Sequence, residues 1–169
     1  DMMITYQEKM IPKGGYYMNY GRGPWETAGN WYCADCGEIS MGVLATAVRC
    51  KNPMEKQRYI KSVESFANLV LENYIGPNGG ITDGFWPLFD GETAFVTTYV
   101  GQVFFKLYDE TGENRYLDAG LNAVNCIINL KQLRNNSKDS IFIKYNPIPF
   151  LKESGSVHTT LSLYSAGFS

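Results

Sequence analysis

The sequence lacks the features that identify several large classes of protein. Its 15 lysine and arginine residues do not exceed its 17 aspartate and glutamate residues, so no basic field favours nucleic acid or anionic lipid. No window approaches the roughly 18 consecutive apolar residues that a membrane-spanning helix needs. The opening stretch "DMMITYQEKM" has no apolar core of the kind that signal peptides carry, and the compartment stays open. We therefore expect neither a nucleic-acid nor a membrane partner.

Motifs for nucleotide binding and for serine-nucleophile catalysis are missing too. "GPNGG" at residues 76–80 is followed by a turn rather than a helix, and the chain has no Gly-Lys-Ser/Thr. "SGSVH" at residues 154–158 does not have the pattern of a nucleophile elbow. We expect no cofactor.

Aromatic side chains, in contrast, are abundant. They make up 14% of the residues, with 12 tyrosines and 3 tryptophans, in a chain that is 44% apolar and 19% charged. This composition and length fit a single folded domain. Many aromatics lie in predicted loops, as in sugar-binding sites, where a ring face packs against apolar C–H surface. Loop aromatics also fix loops to a core, so both interpretations stay open.

The sequence contains an internal repeat. "GEISMGVLATAVRC" begins at Gly37, and the similar stretch "GETAFVTTYVGQVFF" begins at Gly91. The Arg-Tyr pairs at 58–59 and 115–116 lie further apart than these two Gly-Glu pairs, which predicts three extra residues in the central turn of the second unit. A third copy is predicted from near Ser154, where "VHTTLSLYSAG" aligns with "FVTTYVGQVFF" and sets His158 against Val96.

Each unit reads as two helices of different character. Residues 39–50 and 94–108 are apolar or small nearly all round, which predicts inner helices buried on most sides. Residues 54–75 and 113–130 carry one apolar stripe each, at helical spacing. The first stripe is Tyr59, Val63, Phe66, Val70 and Tyr74, and the second is Leu117, Gly120/Leu121, Val124 and Ile127/Ile128. Breaks at Asn52-Pro53 and Thr111-Gly112 separate the helices.

The predicted fold is therefore all-α, with helical hairpins in two layers, as in an α/α toroid or a short α-solenoid. Residues 1–36 form an irregular Gly/Tyr-rich N-terminal arm, and residues 37–169 form the hairpin-repeat domain. The arm segment 14–29 is expected to run over the mouth of a cleft.

This inner and outer pattern, with the turn "TGENRYLDAG", resembles the six-hairpin α/α toroids of carbohydrate-active enzymes. These include the unsaturated glucuronyl hydrolases, the acylglucosamine epimerases and other toroid glycosidases. The resemblance covers residues 37–169 and is architectural. It implies an oligosaccharide or glycan substrate. Because the chain supplies two hairpins and a fraction, it also implies part of a longer toroid, or a second chain that completes it.

The long returns from outer to inner helices must lie at one end of the assembly, which is the predicted functional face. Glycoside hydrolysis needs a protonated and an ionised carboxyl group at the scissile bond. The preferred candidates are Asp35 and Asp83, with Glu38, Asp90 and Glu92 in reserve. All but Asp35 also have a structural interpretation: Glu38 and Glu92 as first-turn charges on equivalent inner helices, Asp90 as an N-cap, and Asp83 in an Asp-Gly turn.

Aromatic residues flank these carboxylates in the sequence. Predicted sugar-stacking residues are Trp25, Trp31, Tyr32, Phe85 and Trp86, and Arg22 is a candidate ligand for a substrate carboxylate. The alternatives are that the tryptophans plug the core and that Arg22 is a solvated surface residue.

The Cys33-x-x-Cys36 pair allows a metal site. Its one available third ligand is His158, because Cys50 lies about 21 Å further along the same helix. Cys33, Cys36 and His158 would form a zinc site with an open position. That set resembles the lanthionine-forming cyclases, although the Cys-His-Gly element of those enzymes is absent. A disulfide or two ordinary thiols are the competing interpretations. The three functional hypotheses are a glycoside hydrolase, a non-catalytic helical-repeat module that binds a glycan or protein, and a zinc-dependent cyclase-like enzyme.

Overall fold

The structure, a computed structural model, describes residues 2–9, 13–16, 32–82 and 92–135. In these ranges the regular elements are five helices: α1 (Met2–Gln7), α2 (Cys33–Arg49), α3 (Pro53–Asn73), α4 (Ala94–Thr111) and α5 (Asn114–Asn135). Two isolated antiparallel bridges, Ile75–Ile81 and Thr82–Glu92, pair residues that lie between α3 and α4 in the sequence. The all-α prediction is confirmed for the part of the chain that the structure describes.

Local sequence signals explain where these helices begin and end. Asn52 caps α3, since its side-chain oxygen accepts hydrogen bonds from the backbone N–H groups of Met54 and Glu55, and Pro53 follows at the first helical position. The Thr93 hydroxyl oxygen accepts a hydrogen bond from the N–H of Val96 at the start of α4. The predicted N-cap role for Asp90 thus falls to Thr93.

The helices form two antiparallel hairpins, α2–α3 and α4–α5, that lie side by side through α2 and α4. A single apolar core runs through both hairpins. Its largest fully buried members are Tyr16, Ile81, Val63, Phe66, Val70, Val96, Val100, Phe104, Leu107 and Tyr116. The predicted α3 stripe is confirmed by Val63, Phe66 and Val70, with Tyr59 and Tyr74 packed at its ends.

The predicted register of the repeat is wrong at its Gly-Glu landmark. Because α2 begins at Cys33, Glu38 lies in its second turn, whereas Glu92 precedes α4 altogether. All the buried positions of α2 correspond to buried positions in another register: Cys33, Ala34, Cys36, Gly37, Ser40, Leu44 and Ala47 match Thr93, Ala94, Val96, Thr97, Val100, Phe104 and Leu107. The second central turn, 112–113, is shorter than the first, 50–52, so the three extra residues predicted there are absent.

Two predictions about burial also need correction. The core face of α5 is Tyr116, Ala119, Gly120, Ala123, Cys126 and Ile127. The predicted stripe is thus confirmed at Gly120 and Ile127 and wrong at Leu121 and Ile128, which are 47% and 45% exposed. In α2 the second half is open on one side, and Val48 is 62% exposed. Small residues there suggested burial, but α2 packs mainly on two helices, α3 and α4, whereas α4 packs on three, α2, α5 and α3.

The described part of the N-terminal arm is anchored in the core. Tyr16 is fully buried; its ring centroid lies 6.1 Å from that of Phe66, and its hydroxyl is 2.9 Å from that of Ser62. The amide of Gln7 donates to the carbonyls of Gly14 and Ser62. Gly14 has φ +105°, and a Cβ there would collide with the carbonyl of Ser65. Residues 13–16 are therefore an integral part of the fold, and the predicted position over a cleft does not hold for them.

Candidate active site

The structure describes six of the residues singled out from the sequence. These are Tyr32, Cys33, Asp35, Cys36, Glu38 and Glu92. Arg22, Trp25, Trp31, Asp83, Phe85, Trp86, Asp90 and His158 lie outside the described residues, as does the third repeat copy. The pairing of Asp35 with Asp83 therefore stays a prediction.

Asp35 and Glu38 lie one helical turn apart near the N-terminus of α2. Residues at this spacing share a face, with Cβ atoms about 5–6 Å apart. Asp35 is half-buried and Glu38 is exposed. Burial, and second the charge of Glu38, raise the pKa of Asp35 above its ordinary value. This pair combines a carboxyl group that favours its protonated form with a second carboxylate beside it.

Tyr99 of α4 completes the cluster from the neighbouring hairpin. Its pKa is raised by burial, then by a hydrogen bond to Glu38, and then by the charges of Glu38 and Asp35. Phe95, one turn earlier in α4, packs edge-on against Tyr99 with ring centroids 4.8 Å apart. The result is two carboxyl groups, a phenol and an aromatic edge at the N-terminal ends of both inner helices.

A glycine between the two carboxyl residues makes this arrangement possible. A Cβ at Gly37 would lie 3.2–3.3 Å from the backbone and Cβ of Tyr99, so the absence of a side chain lets α2 approach α4 at this point. Tyr99 was not a sequence candidate, because its position reads as an inner-helix apolar residue. Its proximity to Glu38 arises from packing between hairpins.

Glu92 has a different environment from Asp35 and Glu38. It is almost fully buried, and its carboxylate accepts hydrogen bonds from the N–H of Asn78 at 2.8 Å, the Asn78 side-chain amide at 2.7 Å and the N–H of Gly80 at 2.9 Å. A Cβ at Gly76 would collide with Glu92, and one at Gly80 would lie 2.6 Å from Cys126 Sγ. Glu92 therefore holds the 76–80 turn against α5.

The two cysteines of the opening motif lie in the first turn of α2. Both are fully buried, and both are thiols, as are Cys50 and Cys126, so the disulfide interpretation does not hold. The N–H of Tyr16 donates to Cys36 Sγ at 3.3 Å, and that thiol donates to the Tyr16 carbonyl at 3.6 Å. Within the described ranges, no three His, Cys, Asp or Glu side chains lie together as a metal-binding group. The zinc hypothesis, which needs His158, stays a prediction.

Thiol reactivity should follow this burial. Cys50 is partly exposed, whereas burial, and second the charge of Glu92, raise the pKa of Cys126 to about 11. Titration of the native protein with a coloured disulfide reagent is expected to modify one thiol rapidly, and titration in denaturant to modify four. A Cys50→Ser variant should lose the rapid phase. Rapid modification of two or more thiols in that variant would contradict the burial of the Cys33–Cys36 pair.

None of the described helices is long and apolar enough to cross a membrane. No family model, curated protein or solved structure matches this chain.

Proposed function

We propose that the protein is a carbohydrate-processing enzyme, a glycoside hydrolase that uses carboxylate acid/base catalysis in an α/α-toroid cleft. The observation that carries this proposal is the cluster of Asp35, Glu38 and Tyr99. Glycosidases need one carboxyl group that stays protonated to donate to the leaving oxygen, and one carboxylate that acts as base or nucleophile. When the surroundings raise the pKa of one carboxyl group above that of the other, the group with the higher pKa acts as the acid and the other as the base or nucleophile.

Asp35 takes the role of general acid. Its raised pKa keeps the carboxyl group protonated at a higher pH than an ordinary aspartate, which is the state that protonates a leaving oxygen. Glu38 is exposed and takes the role of base or nucleophile. Its neighbour Tyr99 supplies a phenol at the same place, available to a sugar hydroxyl or to the catalytic carboxylate.

The aromatic side chains support a sugar as the substrate class. Phe95 and Tyr99 present two partly exposed rings beside the carboxyl pair, and ring faces pack well against the C–H surface of a pyranose. The aromatic residues of the predicted stacking set, Trp25, Trp31, Tyr32, Phe85 and Trp86, belong to the sequence segments that precede α2 and α4.

The toroid part of the proposal follows from the hairpins. Two inner helices lie adjacent with an outer helix behind each, and the carboxyl cluster is at the N-terminal end of the inner layer. Continuing this side-by-side arrangement over further hairpins would close a ring around that end.

The test is a screen of neutral and uronic-acid-containing oligosaccharides, with release of new reducing ends as the readout. We expect cleavage by the wild-type protein and none by an Asp35→Asn/Glu38→Gln double variant that still binds the same oligosaccharide in calorimetry. Glycan binding by both proteins without cleavage by either would favour the alternative, a non-catalytic glycan-binding module. Neither binding nor cleavage across the panel would contradict a carbohydrate function.

A further inference from the structure

A cleft with a volume of about 660 Å³ lies between α1 and the first half of α3. Its volume falls within the range of roughly 300–1,000 Å³ that is usual for small-molecule sites. Residues of α3 from Met54 to Ser65, spaced three or four apart along one helix face, form one wall. Gln7 and Glu8 of α1, together with Lys13, contribute to the other wall. The cleft is thus formed where the N-terminal segment meets the first hairpin.

This cleft is distinct from the carboxyl cluster of Asp35, Glu38 and Tyr99. Because α2 and α3 are antiparallel, the start of α3 lies at the end of the hairpin opposite to the start of α2. Asp35 is in the first turn of α2, whereas the cleft follows the first half of α3. None of the three cluster residues lines it. A ligand in the cleft would therefore leave the proposed catalytic position empty.

Buried hydrogen bonds hold the two walls of the cleft together. Gln7 is almost fully buried, and its amide nitrogen donates to the carbonyls of Gly14 at 2.8 Å and Ser62 at 2.9 Å. The Ser62 hydroxyl donates in return to Gln7 Oε1 at 2.6 Å. These contacts use both hydrogens of the Gln7 amide and its oxygen. The cleft is therefore a preformed part of the fold, and a ligand has to be bound by side chains nearer its rim.

Positive charge predominates among the side chains of the cleft. Lys13, Arg58 and Lys61 are cationic, whereas Glu8 is the one anionic residue of the described lining. This excess contrasts with the chain as a whole, which has slightly more acidic than basic residues. Lys13 and Lys61 are exposed, and neither forms an ion pair within the described ranges. The charge of Lys61 acts on Glu64, nearly one turn further along α3. Both ammonium groups are thus available to an anion from solution.

The neutral side chains of the cleft indicate what carries that anion. The Gln57 amide and the Ser65 hydroxyl supply donors and acceptors suited to the hydroxyl groups of a ligand. Met54 is 81% exposed at the edge of the cleft, where it can pack against C–H surface. No aromatic ring occurs in the described lining, so a nucleobase would have no ring to stack on. Ammonium groups form charge-assisted hydrogen bonds with carboxylate and phosphate oxygens alike.

We propose that the cleft between α1 and α3 is a binding site for an acidic sugar, a uronic acid or a sugar phosphate, whose oxyanion contacts Lys13 and Lys61. The site goes beyond the proposed hydrolase activity, because it lies away from the carboxyl cluster. It stands whether or not that cluster cleaves a glycosidic bond.

Isothermal titration calorimetry of the full chain tests this site. The probes are glucuronate, glucose 6-phosphate, neutral glucose and inorganic phosphate. A Lys13→Gln/Lys61→Gln variant removes the two proposed contacts. A Lys51→Gln/Lys106→Gln variant is the matched control, because it removes the same charge at exposed sites that do not line the cleft. Circular dichroism first verifies that both variants retain the wild-type fold.

We expect the wild-type protein to bind one of the charged sugars at least about tenfold more tightly than glucose, which presents no oxyanion. A preference for glucuronate would identify a carboxylate as the bound group, and a preference for glucose 6-phosphate would identify a phosphate. The Lys13→Gln/Lys61→Gln variant should bind the preferred sugar at least about tenfold more weakly than wild type. The Lys51→Gln/Lys106→Gln variant should stay within about twofold of wild type.

Several results would overturn the proposal. These are no binding of either charged sugar, equal binding of glucose, binding of inorganic phosphate as tight as that of glucose 6-phosphate when this is the preferred sugar, and equal loss of affinity in the two lysine variants. Binding that is lost in Asp35→Asn/Glu38→Gln but kept in Lys13→Gln/Lys61→Gln would place the ligand at the carboxyl cluster instead. Binding that depends on Lys13 and Lys61, in a protein that cleaves no oligosaccharide, would support this site and contradict only the hydrolase.

Discussion

Replacement of Glu92 by alanine is expected to lower the free energy of unfolding by about 3 kcal/mol, and Tm by roughly 10 °C. The carboxylate is almost fully buried and accepts three hydrogen bonds, from both nitrogens of Asn78 and from the N–H of Gly80. Alanine would leave these donors without their acceptor and open a void beside the turn. Urea denaturation monitored by circular dichroism measures the change, with exposed Glu72→Ala as the control.

The turn glycines make this prediction more specific. A side chain at Gly76 would collide with Glu92, so Gly76→Ala should destabilise the wild-type protein but have much less effect in Glu92→Ala, where the opposing atoms are gone. A double-mutant cycle isolates that coupling. Additive effects of the two substitutions, or a stability of Glu92→Ala within roughly 0.5 kcal/mol of wild type, the range of ordinary surface substitutions, would contradict the assigned role.

The start of α3 and the end of α4 were predictable because their signals are local, whereas α2 begins six residues before the predicted inner helix 39–50. Asn52-Pro53 supplies a cap and a first-turn proline, and Gly112, at φ +70°, ends α4 where Thr111-Gly112 indicated a break. The apolar stripe of α3 could be identified from the sequence because one face of this helix is buried and the other carries charged residues. In α5 apolar residues also occupy exposed positions, as Leu121 and Ile128 do, so periodicity alone selected a stripe that mixes these two residues with the buried Gly120 and Ile127.

The roles of the glutamates were not predictable from a repeated dipeptide. Gly-Glu occurs at both 37–38 and 91–92, yet one glutamate lies inside a helix and the other before one. A better signal for Glu92 was the glycine-rich turn at 76–80, which exposes backbone N–H groups that need an acceptor. Pairing that turn with Glu92 requires knowledge of tertiary contacts, which a single sequence does not contain.

Only part of the candidate site could be predicted from the sequence. Asp35 and Glu38 follow from helical spacing, whereas Tyr99 belongs to the other hairpin, far from Glu38 along the chain. It reaches Glu38 through the close approach of α2 and α4 at Gly37. Tyr16 shows the same limitation: its segment has no helical period, and its burial depends on Phe66 and Ser62 across the fold.

Asp35→Asn is expected to lower kcat on a cleaved oligosaccharide by about 10²- to 10⁴-fold, the usual contribution of a general acid. Asp118→Asn, an exposed site on α5 with the same change of charge, should leave kcat unchanged. The stability of Asp35→Asn should stay within about 1 kcal/mol of wild type, because lost attraction to the N-terminus of α2 opposes relief of a buried charge.

The raised pKa of Asp35 determines how the effect of Asp35→Asn on stability changes with pH. Since the pKa of Asp35 is raised in the folded protein, by burial first and by Glu38 second, its contribution favours folding at low pH. That contribution declines as pH rises from the pKa of Asp35 in the unfolded state to its pKa in the folded state. Asparagine does not titrate, so the variant shows no such decline. The stability difference between wild type and Asp35→Asn should therefore shift in favour of the variant as pH rises through this window.

Carboxyl NMR titration tests the electrostatic premise without a substrate. We expect Asp35 to titrate above its ordinary pKa in wild type and closer to it in Glu38→Gln, with burial preserving part of the shift. Where turnover is measurable, the basic limb of kcat/KM should follow the same pKa. An Asp35 that titrates at its ordinary value, together with an Asp35→Asn variant that retains kcat, would remove the general acid from the mechanism and leave the cluster as a binding surface.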